Sequence, residues 1–197
     1  MYQNRYEEPR NQHARGPSFL PHVFREKNSR PDIFRQELRV TPATFDKIIQ
    51  ELETDPVFSN DANTSQMPVE HQVAITLWRF GHDGNASGLQ KVANWAGVGK
   101  GTISLVTRRV MTAILRPSFM KKAVQVPTAE EKEAAKQWVE NNSCRAWRDG
   151  YLMVDGTLVP LFAKPKWYGE SYFDRKCNYS LNIQVGYAFS PLPSTHD

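Results

Sequence analysis

The sequence predicts an α+β protein, in which a helical N-terminal region precedes a smaller region built on short strands. Three observations carry this reading. Apolar residues recur at three- and four-residue spacing in separate stretches between Phe45 and Leu115. Gly81, Gly97 and Pro117 stand where those stretches should end. Beyond Tyr151 the pattern changes to short runs of Val, Leu, Ile and aromatic residues, the composition that suits pleated strands. The chain has 197 residues, 40% of them hydrophobic, enough for one ordinary globular domain or two small ones.

Residues 1–30 are polar, rich in Arg, Asn and Pro, and without a sustained period, so they read as a mobile arm. A helical region is expected over 31–127. In it, Thr41 is a capping residue, Pro42 suits a first helical turn, and Phe45, Ile48, Ile49 and Leu52 share one face. A polar loop follows from Thr54 to Gln66. Pro68 opens the next helix, with Val69, Val73, Leu77 and Phe80 on one face and Gly81 at its end.

The stretch LQKVANWAGVGKGTISLVTRRVMTAIL, Leu89 to Leu115, reads as a helix-turn-helix. Leu89, Val92, Ala93 and Ala96 form the inner face of its first helix, and Gly97 permits the tight turn. Val98 plugs the corner, Ile103 and Val106 point inward from the second helix, and Pro117 stops it. Lys100, Thr102, Ser104, Thr107, Arg108 and Arg109 are then expected on or near the outer side, within reach of base edges or phosphates. Gly99 and Gly101 flank Lys100, which gives that helix a poor start that is expected to order only on DNA.

Charge distribution points the same way. The net charge is +4, but from Gly84 to Ala129 there is no acidic residue, while Lys91, Lys100, Arg108, Arg109, Arg116, Lys121 and Lys122 are all basic. A stretch of one sign calls for a polyanion, and double-stranded DNA is the expected partner. No run of about 18 apolar residues is available to span a membrane, and the N-terminus lacks an apolar leader. The chain is expected to be intracellular, nuclear in a eukaryote and cytoplasmic otherwise. Cys144 and Cys177 form no CxxC pair, so neither a disulfide framework nor a zinc finger is indicated.

The second region, 128–197, opens on TAEE, Thr128 to Glu131, a capping box that starts a helix through Ala135, Trp138 and Val139. Strands are expected at Tyr151 to Val154, Leu158 to Phe162 and Tyr179 to Val185. The loop KPKWYGESYFDRKCN between the last two carries Lys164, Lys166, Arg175 and Lys176, which would meet phosphates or simply solvent. Asp155 followed by Gly156 has two readings. It is a strong hairpin-turn signal. With Asp197 behind His196 it also outlines an incomplete metal site, one carboxylate at a strand tip and another after a loop.

In order along the chain, MVDGTLVPL, FDRKCNYSLNIQ and the final PSTHD resemble the catalytic-domain motifs of PIF/Harbinger-type transposases and the nuclease-like proteins derived from them. ELRVTPATFDKII, VEHQVAITLWRFG and the helix-turn-helix are similar to that family's upstream region, so the likeness covers roughly residues 35–197. The resemblance implies a ribonuclease H-like α/β domain over 128–197, with Asp, Asp and Glu holding two divalent ions, Mg²⁺ or Mn²⁺. Asp155 matches the first carboxylate and Asp197 the second. Ions about 3.5 to 4 Å apart in such a site activate the attacking oxygen and stabilise the leaving one.

Against that pattern a strand before the second Asp is absent and the Glu falls beyond Asp197. The resemblance therefore implies an incomplete domain, with DNA binding retained and cutting by this chain alone not expected. A Myb-like protein generally accompanies such transposases. A protein-interaction adaptor derived from one is the alternative.

Overall fold

The computed structural model describes residues 16–60, 63 and 65–188. Among them are eight α-helices and one two-stranded antiparallel sheet, an α+β content as expected, divided into two compact units between Val124 and Gln125.

The first unit is helical. Its elements are α1 (Leu20–Ser29), α2 (Pro31–Leu38), α3 (Pro42–Leu52), α4 (Val69–Phe80), α5 (Leu89–Ala96), α6 (Lys100–Ile114) and α7 (Pro117–Ala123). Thr41 caps α3 as its sequence signals, its hydroxyl accepting from the Thr44 amide at 3.2 Å. Helix α4 lies at the centre, packed against α2, α3, α5 and α6. Its burial is correspondingly broad: Gln72 through Thr76 are buried, and so is Trp78. The amide of Gln72 donates from Nε2 to the Met67 carbonyl at 2.8 Å. Around α4 close Phe34, Leu38, Phe45, Leu52, Val92, Ile103, Val106 and Val110. Each buried Leu, Ile, Val or Phe contributes about 1.5–3 kcal/mol relative to exposure, so this cluster is the main source of the unit's stability.

Three expectations change here. The arm read over 1–30 contains α1, whose Leu20 and Val23 are buried in that core. Residues 1–15 lie outside the described residues. Phe80, read as inward on α4, is exposed, because the helix ends at Gly81 beyond the packed turns. The basic connector after Pro117 holds the short helix α7, and Pro117 starts that helix as well as ending α6.

The second unit has α8 (Ala129–Asn142) and strands β1 (Leu152–Pro160) and β2 (Ser180–Ala188). The TAEE capping box is made: Thr128 accepts from the Glu131 amide, and the Glu131 carboxylate accepts from the Thr128 amide at 2.9 Å. Arg148 pairs with both Glu133 and Glu140 and ties the turn after α8 back to the helix. Strand β1 runs unbroken through Asp155 and Gly156, pairing Asp155 with Val185 and Gly156 with Gln184. The two strands expected at 151–154 and 158–162 are thus one, and no hairpin turn forms at Asp155. A two-residue hairpin turn needs positive φ at its centre, and Gly156 does not have it. A continuous ladder with β2 supplies backbone partners along the whole strand and outweighs the local turn preference.

Candidate functional site

In the first unit the candidate surface is built on α5, the turn after it and α6. Gly97 closes α5 with φ 68° and ψ 23°, a left-handed conformation that an L side chain resists. A second constraint acts there: a Cβ on Gly97 would meet the backbone of Ser18 at 3.0 Å. The Phe19 amide donates to the Trp95 carbonyl at 2.8 Å, so the residues entering α1 seat directly on this corner. The turn is held on both sides.

Helix α6 buries Ile103, Val106, Thr107, Val110 and Ala113. The opposite stripe, Ser104, Leu105, Arg108, Met111, Thr112 and Leu115, is exposed at three- and four-residue spacing. Lys100 is exposed at its start, and Thr102 and Arg109 are half-buried at its flanks. Thr107 is corrected from the outer side to the core. It is 4% exposed, and its hydroxyl accepts a hydrogen bond from Arg79 Nη1 at 3.1 Å. One position past Val106 on a 3.6-residue helix, it turns toward α4.

The N-cap of α6 is Gly99, with no side-chain cap, so the first-turn amides point outward without a protein side chain to meet them. That is the poor start the glycines imply, but the helix is formed from Lys100 onward. An uncapped helix start attracts anions. Not all of the basic stretch is available to a partner, because Arg116 makes a bidentate pair with Asp55 and Lys122 pairs with Glu51 at 2.6 Å. Among the described residues Lys91, Lys100, Arg108, Arg109 and Lys121 have no ion pair.

In the second unit Asp155 is exposed on one face of the sheet, with Met153, Thr157 and Val159 on its own strand and Leu181, Ile183 and Val185 across from it. Its surroundings are apolar. Among the described residues no group of three or more His, Cys, Asp or Glu side chains could hold a metal ion. Asp197 and His196 lie outside the described residues. A cavity of about 500 Å³ opens on the other face, lined by Gly156, Leu158, Phe173, Arg175, Asn182 and Gln184 among others. Asp155 does not line it.

Arg175 and Lys176 are exposed on the loop before β2. That loop is organised by Asp174, whose Oδ1 accepts from the Lys176 amide at 2.7 Å and the Asn178 amide at 3.0 Å, while Oδ2 accepts from Ser180 Oγ at 2.6 Å. The Ser180 hydroxyl first, then the Asn178 amide, hold its carboxyl below its ordinary value. Sequence reasoning missed Asp174. Its signal was an Asp followed two and four residues on by amides free to fold back, a pattern too common to stand out.

Comparison of the chain with protein-family models, curated proteins and solved structures finds no match. No helix among the described residues is long and apolar enough to cross a membrane.

Proposed function

We propose that this chain is a transposase-derived DNA-binding protein whose α5, turn and α6 act as a helix-turn-helix. The observation that carries the reading is the alignment of Lys100, Ser104 and Arg108 along the exposed side of α6, beside a doubly held turn, in a stretch without acidic residues. Arg109 and Lys100 would position the duplex through phosphates, and Ser104 and Arg108 would face base edges.

A gel-shift titration of labelled duplex DNA against salt tests it. Binding should weaken with a slope of about 0.9 in log-log terms per phosphate neutralised. Replacing Lys100, Arg108 and Arg109 together by Ala should cost about tenfold or more in affinity and flatten that slope by up to about 1.8, for the two phosphates met by Lys100 and Arg109. Binding that ignores salt, or survives the triple change, would sink the proposal.

The same reading makes the second unit part of a ribonuclease H-like nuclease domain, with Asp155 in the place of the first metal-binding carboxylate. The described residues do not by themselves fit a Mg²⁺ or Mn²⁺ site, since no group of three or more His, Cys, Asp or Glu side chains among them could hold a metal ion. No cleavage step is therefore assigned to this unit.

One observation favours the adaptor reading. Leu105, Met111 and Leu115 lie on the same stripe as Arg108, and Leu115 is 63% exposed, which suits a protein partner such as a Myb-like domain better than a groove of phosphates. Leu105→Glu with Leu115→Glu should abolish capture of such a partner, while the triple Ala replacement leaves it intact. The opposite result favours DNA.

A further inference from the structure

The loop from Phe162 to Lys176 in the second unit combines features that duplex binding through α6 does not use. Phe162, Trp167 and Tyr168 are all turned to solvent, Trp167 at 83% and Tyr168 at 85% exposure. Their display is not the slackness of a floppy loop. Lys164 lies across Gly169, where an added Cβ would meet its side chain at 2.7 Å, and its ammonium pairs with Glu170 and sits 5.3 Å from the Tyr179 ring centroid.

Tyr168 itself takes φ 50° and ψ 31°, a left-handed backbone that a bulky side chain adopts only when its surroundings impose it. A short 3-10 turn, Gly169–Tyr172, follows at once. The chain thus holds two large aromatic rings outward at a local conformational cost.

The charges around them are sorted as well. Both carboxylates of the loop are engaged, Glu170 by Lys164 and Asp174 by Ser180 and the amides of Lys176 and Asn178. Lys166, Arg175 and Lys176 are exposed and make no ion pair among the described residues. Exposed rings on one loop with uncompensated cations are the chemistry of unpaired nucleic acid: the rings stack on bases and the cations meet the phosphates between them. Duplex DNA hides its base faces and offers the rings nothing to stack on. A membrane surface would take the rings but not require a fixed loop to present them.

We propose that this loop is a binding surface for single-stranded DNA, with Trp167 and Tyr168 stacking on successive bases and Lys166, Arg175 and Lys176 neutralising the backbone. It uses no residue of α6, so it stands or falls independently of duplex binding.

The test uses the full chain carrying Lys100→Ala, Arg108→Ala and Arg109→Ala, titrated into a fluorescein-labelled oligothymidylate and, separately, into the same strand annealed to oligoadenylate, with anisotropy as the readout. The single strand should bind more tightly than the duplex. Adding Trp167→Ala and Tyr168→Ala should weaken single-strand binding about tenfold or more, while Trp167→Phe retains most of it because a ring is still present. Lys166→Ala should lower the salt slope by about 0.7. Both rings are solvent-exposed, so an unchanged far-ultraviolet circular dichroism spectrum should accompany every variant.

No binding of the single strand, equal affinity for duplex, or indifference to loss of both rings would overturn the proposal. If the single strand binds as expected while the chain with α6 intact ignores duplex, this surface stands and the helix-turn-helix reading falls.

Discussion

Gly97 shows how much one residue position can carry. It combines a positive φ with a 3.0 Å approach to the Ser18 backbone, so a methyl group there meets two penalties at once. The left-handed conformation alone costs an L residue about 1–2 kcal/mol. Gly97→Ala should lower the urea-unfolding free energy by at least that much, because the near neighbour is backbone and cannot swing away. The turn was legible in the sequence, since glycine between two apolar-periodic runs has few other uses. The Ser18 contact was not, because nothing in a polar N-terminal segment announces where it docks. Thr107 teaches the converse. It was expected on or near the outer side, yet it stands four residues after Ile103 and three before Val110, on the buried face of α6, where its hydroxyl accepts from Arg79.

At the scale of elements, α6 and α7 are anchored by the Asp55–Arg116 pair, which joins the end of α6 to the 3-10 turn Pro56–Phe58. Burial alone would raise the Asp55 carboxyl, but the Arg116 guanidinium and the Val57 amide outweigh it and hold it below its ordinary 3.8. A carboxyl lowered in the folded state stabilises the fold above its unfolded value, and that contribution is lost as pH falls through the folded one. Arg116→Met should therefore cost about 1 kcal/mol at pH 7, a figure reduced for the guanidinium's partial exposure. In chemical denaturation the gap between variant and parent should close as pH drops below 3.8. A constant gap across that range would show that Arg116 acts through packing alone.

Elements with a clear apolar period and a capping or glycine boundary, such as α3, α5, α6 and α8, could be read from the sequence. Helices α1, α2 and α7 could not, because none has a side-chain N-cap to mark its start, and each is held by the core it packs against. Strand β1 escaped for a related reason. Asp155 and Gly156 carry a local turn signal, and only pairing with a strand distant in sequence overrules it.

For the molecule as a whole, the two units differ in how completely they bury themselves. The first has a continuous apolar core. The second exposes Leu152, Met153, Val154, Val159, Leu181 and Ile183 on a two-stranded sheet. Two strands without a covered face are marginal in water. Expressed separately, residues 16–124 should unfold cooperatively in urea, whereas residues 125–197 should bind a hydrophobic dye and unfold over a broad range. Cooperative unfolding of the second piece alone, without dye binding, would contradict this account.

What the sequence by itself determined is the order of helical and stranded regions, the capped and glycine-bounded helices, and the acid-free basic stretch, because these depend on neighbours a few residues apart. What only the tertiary structure decided is which of those residues face water and which have partners. It buried Thr107, engaged Arg116 and Lys122 in ion pairs with Asp55 and Glu51, ran β1 straight through Asp155 and Gly156, and turned Trp167 and Tyr168 outward. Each outcome depends on partners far away in the chain or on a loop closed by its own ion pair, and local pattern carries no record of either.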